Sequence, residues 1–321
     1  MSFIEYIPFS ACGEDESSPS LVCLGCFDGV HLGHMALINE TIAMKANTSA
    51  DNKKLRAVAF CFSTIPANHF LTNKIKSIMT QKQKLDAFKS AGLDGAYVCD
   101  FGSVYQLTPE EFVQKILYDS CNCVGAVCGF NFNFGCHASG NHETLAELLS
   151  ISNYPTKVIL PINYGEQPIS SSRIRCHIEN GRCEDATELL GRPFAIEHTI
   201  VHGKNIGVKL GFPTINHIVS EADEQIIPMK GVYATKVSLG NTSYYGVTNV
   251  GKRPTVCESD VVTCETHLID VDKSSDFYGN TAVISFISML RGEKKFDSFE
   301  ELSSAIAKDV HNAKAYFKSN P

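Results

Sequence analysis

VCLGCFDGVHLGH (Val22 to His34) admits three readings, and the architecture of the first half of the chain turns on which one holds. Two cysteines and two histidines could bind a metal, the C-x-x-C could be a redox pair, or the glycines and histidines could hold phosphate. The metal reading meets a geometric difficulty. In a strand, Cys23 and Cys26 are three apart and point to opposite faces, so converging on one ion needs a break at Gly25. The spacing C-x2-C-x4-H-x2-H also leaves too little chain between ligand pairs for a usual zinc finger. The redox reading wants the C-x-x-C at a helix start, whereas Cys26 ends the apolar run and loop residues follow it. Buried strand cysteines are the simpler account. GCFDGVHLGH (Gly25 to His34) instead sets three glycines around a strand-to-helix turn, where backbone N–H groups and a helix N-terminus cradle phosphate. His31 and His34 open that helix on one face and can donate to charge developing on a phosphate. An isolated H-x-x-H would be read as two helix-cap histidines; the glycines and the place after the first strand reverse that preference.

Outward from this turn, apolar runs alternate with helical patterns. The runs are Leu21 to Phe27, Arg56 to Phe62, Gly95 to Asp100, Val124 to Gly129 and Lys157 to Leu160. Helices are expected at His34 to Ala46, from about Thr80 (with Gln83 as capping box), from Thr108 (Pro109 first, Glu111 third) and at Asn141 to Ser150. This alternation predicts a doubly wound parallel sheet with helices on both faces, its ligands outside the carboxyl ends of the strands.

After about residue 186 the texture changes to strands: Ile196 to His202, Gly231 to Leu239, Ser243 to Val250, Val262 to Asp270 and Ala282 to Met289. SLGNTS (Ser238 to Ser243) reads as a hairpin turn. One helix follows, Ser298 to Phe317, with Ser298 and Glu301 as capping box. A small β-barrel with a terminal helix is expected, with Ser172 to Gly191 as a polar helical connector. The division predicted is 1–185 and 186–321.

Bulk properties bound the function. The 321 residues carry 44% hydrophobic and 20% charged side chains with net charge -7, enough for two cores and against a nucleic-acid surface. The thirteen cysteines are scattered and odd in number. MSFIEYIPFSACGEDESSPS has no basic segment leading into an apolar one, so no signal peptide is expected. No apolar run approaches the roughly 18 residues of a membrane span. The expectation is a cytoplasmic protein with reduced cysteines, acting on small molecules, without nucleic-acid or membrane partners, monomeric or weakly self-associating.

Two more stretches join the opening turn. PISSSRIR (Pro168 to Arg175) brings hydroxyls and two guanidinium groups to a helix start, which suits a polyphosphate, although a serine cap with solvated arginines fits equally. GFNFNFG (Gly129 to Gly135) ends the fourth run; its alternating Phe are core or a face for a flat ring, and its place favours a binding role for the Asn side chains. With Gly25 to His34, these stretches resemble the adenylyltransferase half of the prokaryotic bifunctional riboflavin kinase/FAD synthetases, whose motifs read G-x-F-D-G-V-H-x-G-H, I-S-S-T-x-I-R and G-x-(D/N)-F-x-F-G. Ser172 replaces the Thr, Asn133 stands where Arg or another polar residue is common, and Cys61 to Asn68 read CFSTIPAN where many relatives read T-F-x-P-H-P. The resemblance implies transfer of AMP from ATP to FMN with release of pyrophosphate. His31, His34 and Arg175 would be catalytic. Gly25, Phe27, Asp28, Gly29, Ser171 and Ser172 would hold the nucleotide, and Asn131 and Phe132 the flavin.

HGKNIGVKLGFPTIN (His202 to Asn216) is a glycine-punctuated loop ending in Thr214 and Asn216, hard oxygen ligands for Mg²⁺; a glycine-rich barrel loop is about as good a reading. Glu265 lies in an alternating strand pattern, either on the solvent face or as a base for a hydroxyl nucleophile. The second half resembles riboflavin kinase through GFPTIN, GVYA, GVTNVGKRPT, ETHLID, FYG and LRGEKKF, in that order. The resemblance implies that Thr214 and Asn216 bind Mg²⁺–ATP. Gly203, Gly207 and Lys209 would contact the nucleotide, Glu265 would activate the ribityl hydroxyl, and Arg291 would sit near the flavin. Val208 stands where an Arg is frequent. Riboflavin, FMN and FAD would be substrate and product in turn.

Overall fold

The computed structural model describes residues 4–8, 18–48, 55–201, 212–219, 224–252, 262–271 and 277–320. The chain divides into two compact units, Met1–Ser171 and Ser172–Pro321.

In the first unit, strands β1 (Ile4–Pro8), β2 (Ser20–Leu24), β3 (Arg56–Phe62), β4 (Gly95–Cys99), β5 (Cys123–Gly129) and β6 (Thr156–Ile159) form one sheet in the order β1-β4-β3-β2-β5-β6. All neighbours run parallel except β1, which pairs antiparallel with β4. Helices α1 (Leu32–Thr48), α2 (Gln81–Ala91), α3 (Pro109–Phe112) and α4 (His142–Ser150) cover it. Alternation along each strand sorts the two faces. Val22, Leu24, Val58 and Phe60 pack with Phe112, Ile116, Leu117, Leu145 and Leu149. Cys23, Ala57, Ala59 and Cys61 pack with Ile38, Leu37 and Phe88 from α1 and α2. This is the doubly wound arrangement expected. The order reverses between β2 and β5, so the carboxyl ends of those two strands flank the switch point where such sheets bind ligands.

Local chemistry explains most helix ends. Thr80 and Thr108 each accept from the backbone three residues on, while Gln83 and Glu111 reach back to the cap N–H. The structure also departs from expectation. β2 stops at Leu24, so Cys26 lies beyond the strand. After Phe112 the helix widens to a π-helix over Val113–Ser120, with the Cys121 N–H donating to the Ile116 carbonyl. Ser298 caps its helix, but Glu301 meets the Asp297 N–H, so that box is half formed. And β1 was not expected. Tyr6 on β1 covers the fully buried Arg56 guanidinium at 4.8 Å, and Arg56 also donates to the Tyr97 hydroxyl and the Ser18 carbonyl.

The second unit opens with α5 (Ser171–Glu179, its first residue in the first unit) and α6 (Cys183–Leu190). Strands β7 (Phe194–Thr199), β8 (Thr214–Val219), β9 (Gly231–Leu239), β10 (Thr242–Lys252), β11 (Val262–Leu268) and β12 (Thr281–Gly292) form an antiparallel sheet in the order β7-β12-β9-β10-β11-β8. Just past β7, the Val201 N–H donates to the Asn216 carbonyl at 2.9 Å, so the two edge strands meet and the sheet closes. Ser238 pairs with Ser243 across the Gly240–Asn241 turn, where Gly240 has the positive φ of 56° that a two-residue hairpin demands. Inside, Tyr233 and Phe286 meet edge to face, and the hydroxyls of Thr235, Thr248 and Thr266 form a buried ladder at 2.8 Å. Outside, α7 (Phe299–Ser319) lays Ala313 and Phe317 on Val232, Ala234 and Val247.

His217 is fully buried on β8, and its pKa is pushed down to about 4 by burial and by nearby His198, offset in part by the Cys264 backbone. Above pH ~6.5 the ring is neutral in both folded and unfolded chains. Between ~6.5 and about 4 only the unfolded chain takes up the proton, so stability falls with pH across that window, on the order of 3 kcal/mol at most. Unfolding measured from pH 7.5 to 4 should show this slope in the wild type and a flatter one in His217→Leu; equal slopes would refute it.

Candidate active sites

The first site is built on the reversal between β2 and α1. The Val30 N–H donates to the Phe27 carbonyl, closing a turn whose third residue, Gly29, has φ 87°. Phe27 and Val30 also have positive φ, 54° and 38°, which side-chain-bearing residues rarely adopt. Both are buried, Phe27 edge-on to Phe88 at 5.1 Å, so the core under the turn holds the strained backbone. Asp28 is buried as well. Its carboxylate accepts from the Ile78 N–H and its carbonyl from the Ser171 hydroxyl, both at 2.8 Å, so it ties three segments together.

His31 sits immediately before α1 and caps it: its Nδ1 accepts from the His34 N–H at 3.3 Å. A neutral His31 with Nδ1 accepting carries its proton on Nε2. The His34 ring stacks on the His31 ring at 3.6 Å and 15°. Gly33 makes room for this: a Cβ there would lie 3.1 Å from His31 Cε1. The arrangement offers N–H donors at a helix N-terminus, which favours an anion.

From β5, Asn131 is exposed at the same end of the sheet, Phe132 is half-buried, and Phe134 stacks on Phe132 at 5.4 Å while filling the core. Asn133 donates to the Asn131 carbonyl. Ser172 and Arg175 follow Ser171 on α5, within the second unit.

The second site lies on the outer face of the barrel. Thr214 and Asn216 do not end a loop, as expected, but open β8, so both side chains lie on one face. Ladder register places Asn216 opposite Glu265 and Glu265 opposite Asn249, three side chains on one face of adjacent strands. Glu265 is exposed, whereas its neighbours Cys264 and Thr266 are fully buried. The Asn216 amide nitrogen donates to the Thr214 carbonyl at 3.2 Å, while Oδ1 is the acceptor of this buried side chain. Arg291 donates to both carboxylate oxygens of buried Asp309 on α7, at 3.1 Å from Nε and 2.9 Å from Nη2, and lies against Phe296. Gly203, Gly207, Lys209 and Val208 lie outside the described residues.

Two family models match this chain, FAD synthetase over residues 13–173 and riboflavin kinase over 190–317. A bifunctional riboflavin kinase/FMN adenylyltransferase of Bacillus subtilis is 32% identical over 95% of both chains, and that of Haemophilus influenzae 32% over 92% of this chain and 94% of its own. The chain belongs to this bifunctional family. A crystal structure described as a macrolide-efflux protein from Streptococcus pneumoniae superposes with TM-score 0.83 at 26% identity, covering 96% of this chain and 97% of that one. Among the described residues no helix is long and apolar enough to cross a membrane.

Within the family's first domain, one feature escaped sequence reasoning. His69, Phe70, Phe101 and Tyr105 form an aromatic cluster beyond the carboxyl ends of β3 and β4, with Phe70 68% exposed and Tyr105 4.6 Å from His69. These residues have no shared period; only the two loops folding together assemble them. Cys23 is buried with its pKa raised to about 12 by burial, and among the described residues no three or more His, Cys, Asp and Glu side chains group as a metal site.

Alanine at position 33 would favour the helix by about 1 kcal/mol but crowd His31 off a cap worth about 1 kcal/mol. Gly33→Ala should therefore barely change stability. Nitrogen NMR should find one His31 tautomer, protonated on Nε2, in the wild type and a mixture in the variant; a single unchanged tautomer would refute the capping role.

Proposed function

We propose that this chain makes FAD from riboflavin in two ATP-consuming steps, one in each domain. Riboflavin phosphorylation belongs to residues 186–321 and adenylyl transfer to FMN to residues 1–185. The observation that carries the reading is the capped N-terminus of α1, with stacked His31 and His34, at the switch point of the sheet.

In adenylyl transfer, a phosphate oxygen of FMN attacks the α-phosphorus of ATP and pyrophosphate leaves. The nucleophile is already an anion, so no strong base is required; the work is in-line placement and stabilisation of charge. His31 Nε2–H, His34 and the first N–H groups of α1 would donate to the α-phosphate. Gly25, Phe27, Asp28 and Gly29 shape the turn, the Ser171 hydroxyl ties the start of the following helix to the Asp28 carbonyl, Ser172 would contact the nucleotide, and Arg175 would hold the leaving pyrophosphate. The flavin ring would lie on the exposed aromatic cluster around Phe70 and Tyr105, with Asn131 and Phe132 beside it.

In phosphorylation, the terminal ribityl oxygen attacks the γ-phosphorus while its proton passes to Glu265, and the bond to ADP breaks. Thr214 and Asn216 suit Mg²⁺: both offer neutral hard oxygens, and the Asn216 hydrogen bond engages its amide nitrogen and not its Oδ1. When bound, the ion would offset negative charge on the ATP phosphates. Gly203, Gly207 and Lys209 would complete the nucleotide contacts. Arg291, paired with Asp309, fixes α7 to the barrel beside this face. The reading entails a cytoplasmic enzyme, monomeric or weakly self-associating, that acts on small molecules without nucleic acid or membrane.

Purified protein given riboflavin and Mg²⁺–ATP should pass through FMN and accumulate FAD; a time course ending at FMN would refute the adenylyl-transfer assignment. Glu265→Gln should lower FMN formation at least a hundredfold while converting supplied FMN to FAD at the wild-type rate. Loss of both activities together would refute separate sites.

A further inference from the structure

The aromatic cluster of the first unit is shared between two loops. His69 and Phe70 come from the loop that leaves β3, Phe101 and Tyr105 from the loop that leaves β4. Across the two loops, ring centroids lie 4.6 Å apart for His69 and Tyr105, 5.8 Å for Phe70 and Tyr105, and 6.0 Å for Phe70 and Phe101. These distances depend on where the first loop sits. Its two ends are tied down. The buried Lys84 ammonium donates to the Phe62 carbonyl at 3.1 Å, and the Ile78 N–H donates to the Asp28 carboxylate at 2.8 Å. Burial does not hold the tip, because Phe70 and the four residues after it are exposed. Asn68 does so instead. Its Nδ2 donates to the Ile75 carbonyl at 2.9 Å, and its Oδ1 accepts from the Ile75 N–H at 2.8 Å. One side-chain amide thus pairs with both backbone groups of a residue seven positions on, as the facing residue of an antiparallel strand would. The Lys74 ammonium adds a hydrogen bond to the Asn68 carbonyl.

This clip closes the loop directly before His69 and Phe70. Without it an exposed loop spreads over many conformers, and a ligand that needs one of them must bear the cost of ordering it. We propose that Asn68 is a positioning residue for adenylyl transfer: by clipping the loop to Ile75, it sets His69 and Phe70 against Phe101 and Tyr105 before FMN arrives. The inference rests on the placement of the flavin ring on this cluster and adds what preorganises it. In this role Asn68 touches neither substrate. Its loss acts on FMN binding and spares both ATP binding and turnover at saturating FMN.

The test is adenylyl transfer by the full-length protein, with FMN and ATP varied in turn. Asn68→Ala should raise the KM for FMN roughly tenfold, as the loss of two hydrogen bonds implies, with kcat and the KM for ATP unchanged. Asn68 and Ile75 are only half-buried, so water takes up the freed backbone groups and the variant folds; the unchanged KM for ATP reports this. Hydrogen exchange at the Ile75 amide should quicken, since its acceptor is gone. Phe70→Ala should raise the KM for FMN by itself, and adding Asn68→Ala to it should have much less effect than in the wild type, because the ring to be positioned is missing. An unchanged KM for FMN in Asn68→Ala, an equal rise for ATP, unaltered exchange at Ile75, or the same added effect with and without Phe70 would overturn the proposal while leaving the flavin placement standing. No rise in the KM for FMN in Phe70→Ala would overturn that placement, and the proposal with it.

Discussion

The hydrogen bond from the His34 N–H to His31 Nδ1 determines where α1 begins and what it presents to solvent. It satisfies a donor that the helix itself cannot pair, orients the ring against its neighbour, and places the proton on the opposite nitrogen. The bond exists only because the chain reverses within a few residues of β2, through positive φ at Phe27, Gly29 and Val30. Strain of about 1–3 kcal/mol at each of the two non-glycine positions is comparable to the ~1.5–3 kcal/mol that burying each side chain provides. The turn is therefore held by the core beneath it, with Asp28 adding hydrogen bonds to Ile78 and Ser171.

The barrel solves a different problem with a different device. Its chemistry sits on strands, so position is a matter of register. Asn216, Glu265 and Asn249 lie side by side because three strands pair in one alignment, and a slip of one residue would turn Glu265 into the interior. The buried hydroxyl ladder of Thr235, Thr248 and Thr266 pins that alignment, since a slip would leave buried hydroxyls without partners. On the outer face, the two-pronged Arg291–Asp309 pair and the Phe317 contacts seat α7. The sidedness of the second unit follows: hydroxyl ladder and aromatics inside, helix and polar row outside.

The departures from the family's motifs acquire a physical reading where the structure describes them. In CFSTIPAN, Cys61 packs under α1 and α2, the Ser63 N–H donates to the Cys99 carbonyl, and Pro66–His69 form a short turn that delivers His69 to the aromatic cluster. The end of β3 is thus supported without the usual residues. Asn133 braces the Asn131 backbone. The buried thiols of Cys23, Cys99, Cys123, Cys183 and Cys264 are pushed up to about 12 by burial, so they stay protonated and serve as small apolar residues.

Local chemistry was legible in the sequence wherever it is settled by neighbours along the chain. The capping residues Thr80 and Thr108, the Gly240–Asn241 hairpin and the alternation of parallel strands with helices all read correctly, because each depends on backbone preference or on periodicity. Glycine placement and motif spacing likewise singled out His31, His34 and Glu265 as candidates. Tertiary structure decided what depends on partners far along the chain. β1 exists by pairing with β4 under Arg56, Thr214 and Asn216 belong to a strand because β11 receives them, and the cluster around Phe70 assembles from two loops. The face taken by Glu265 was equally undecided by its own alternation. A period of two separates two faces without saying which is inside; only the closing of the barrel, with α7 on one side of it, makes that choice.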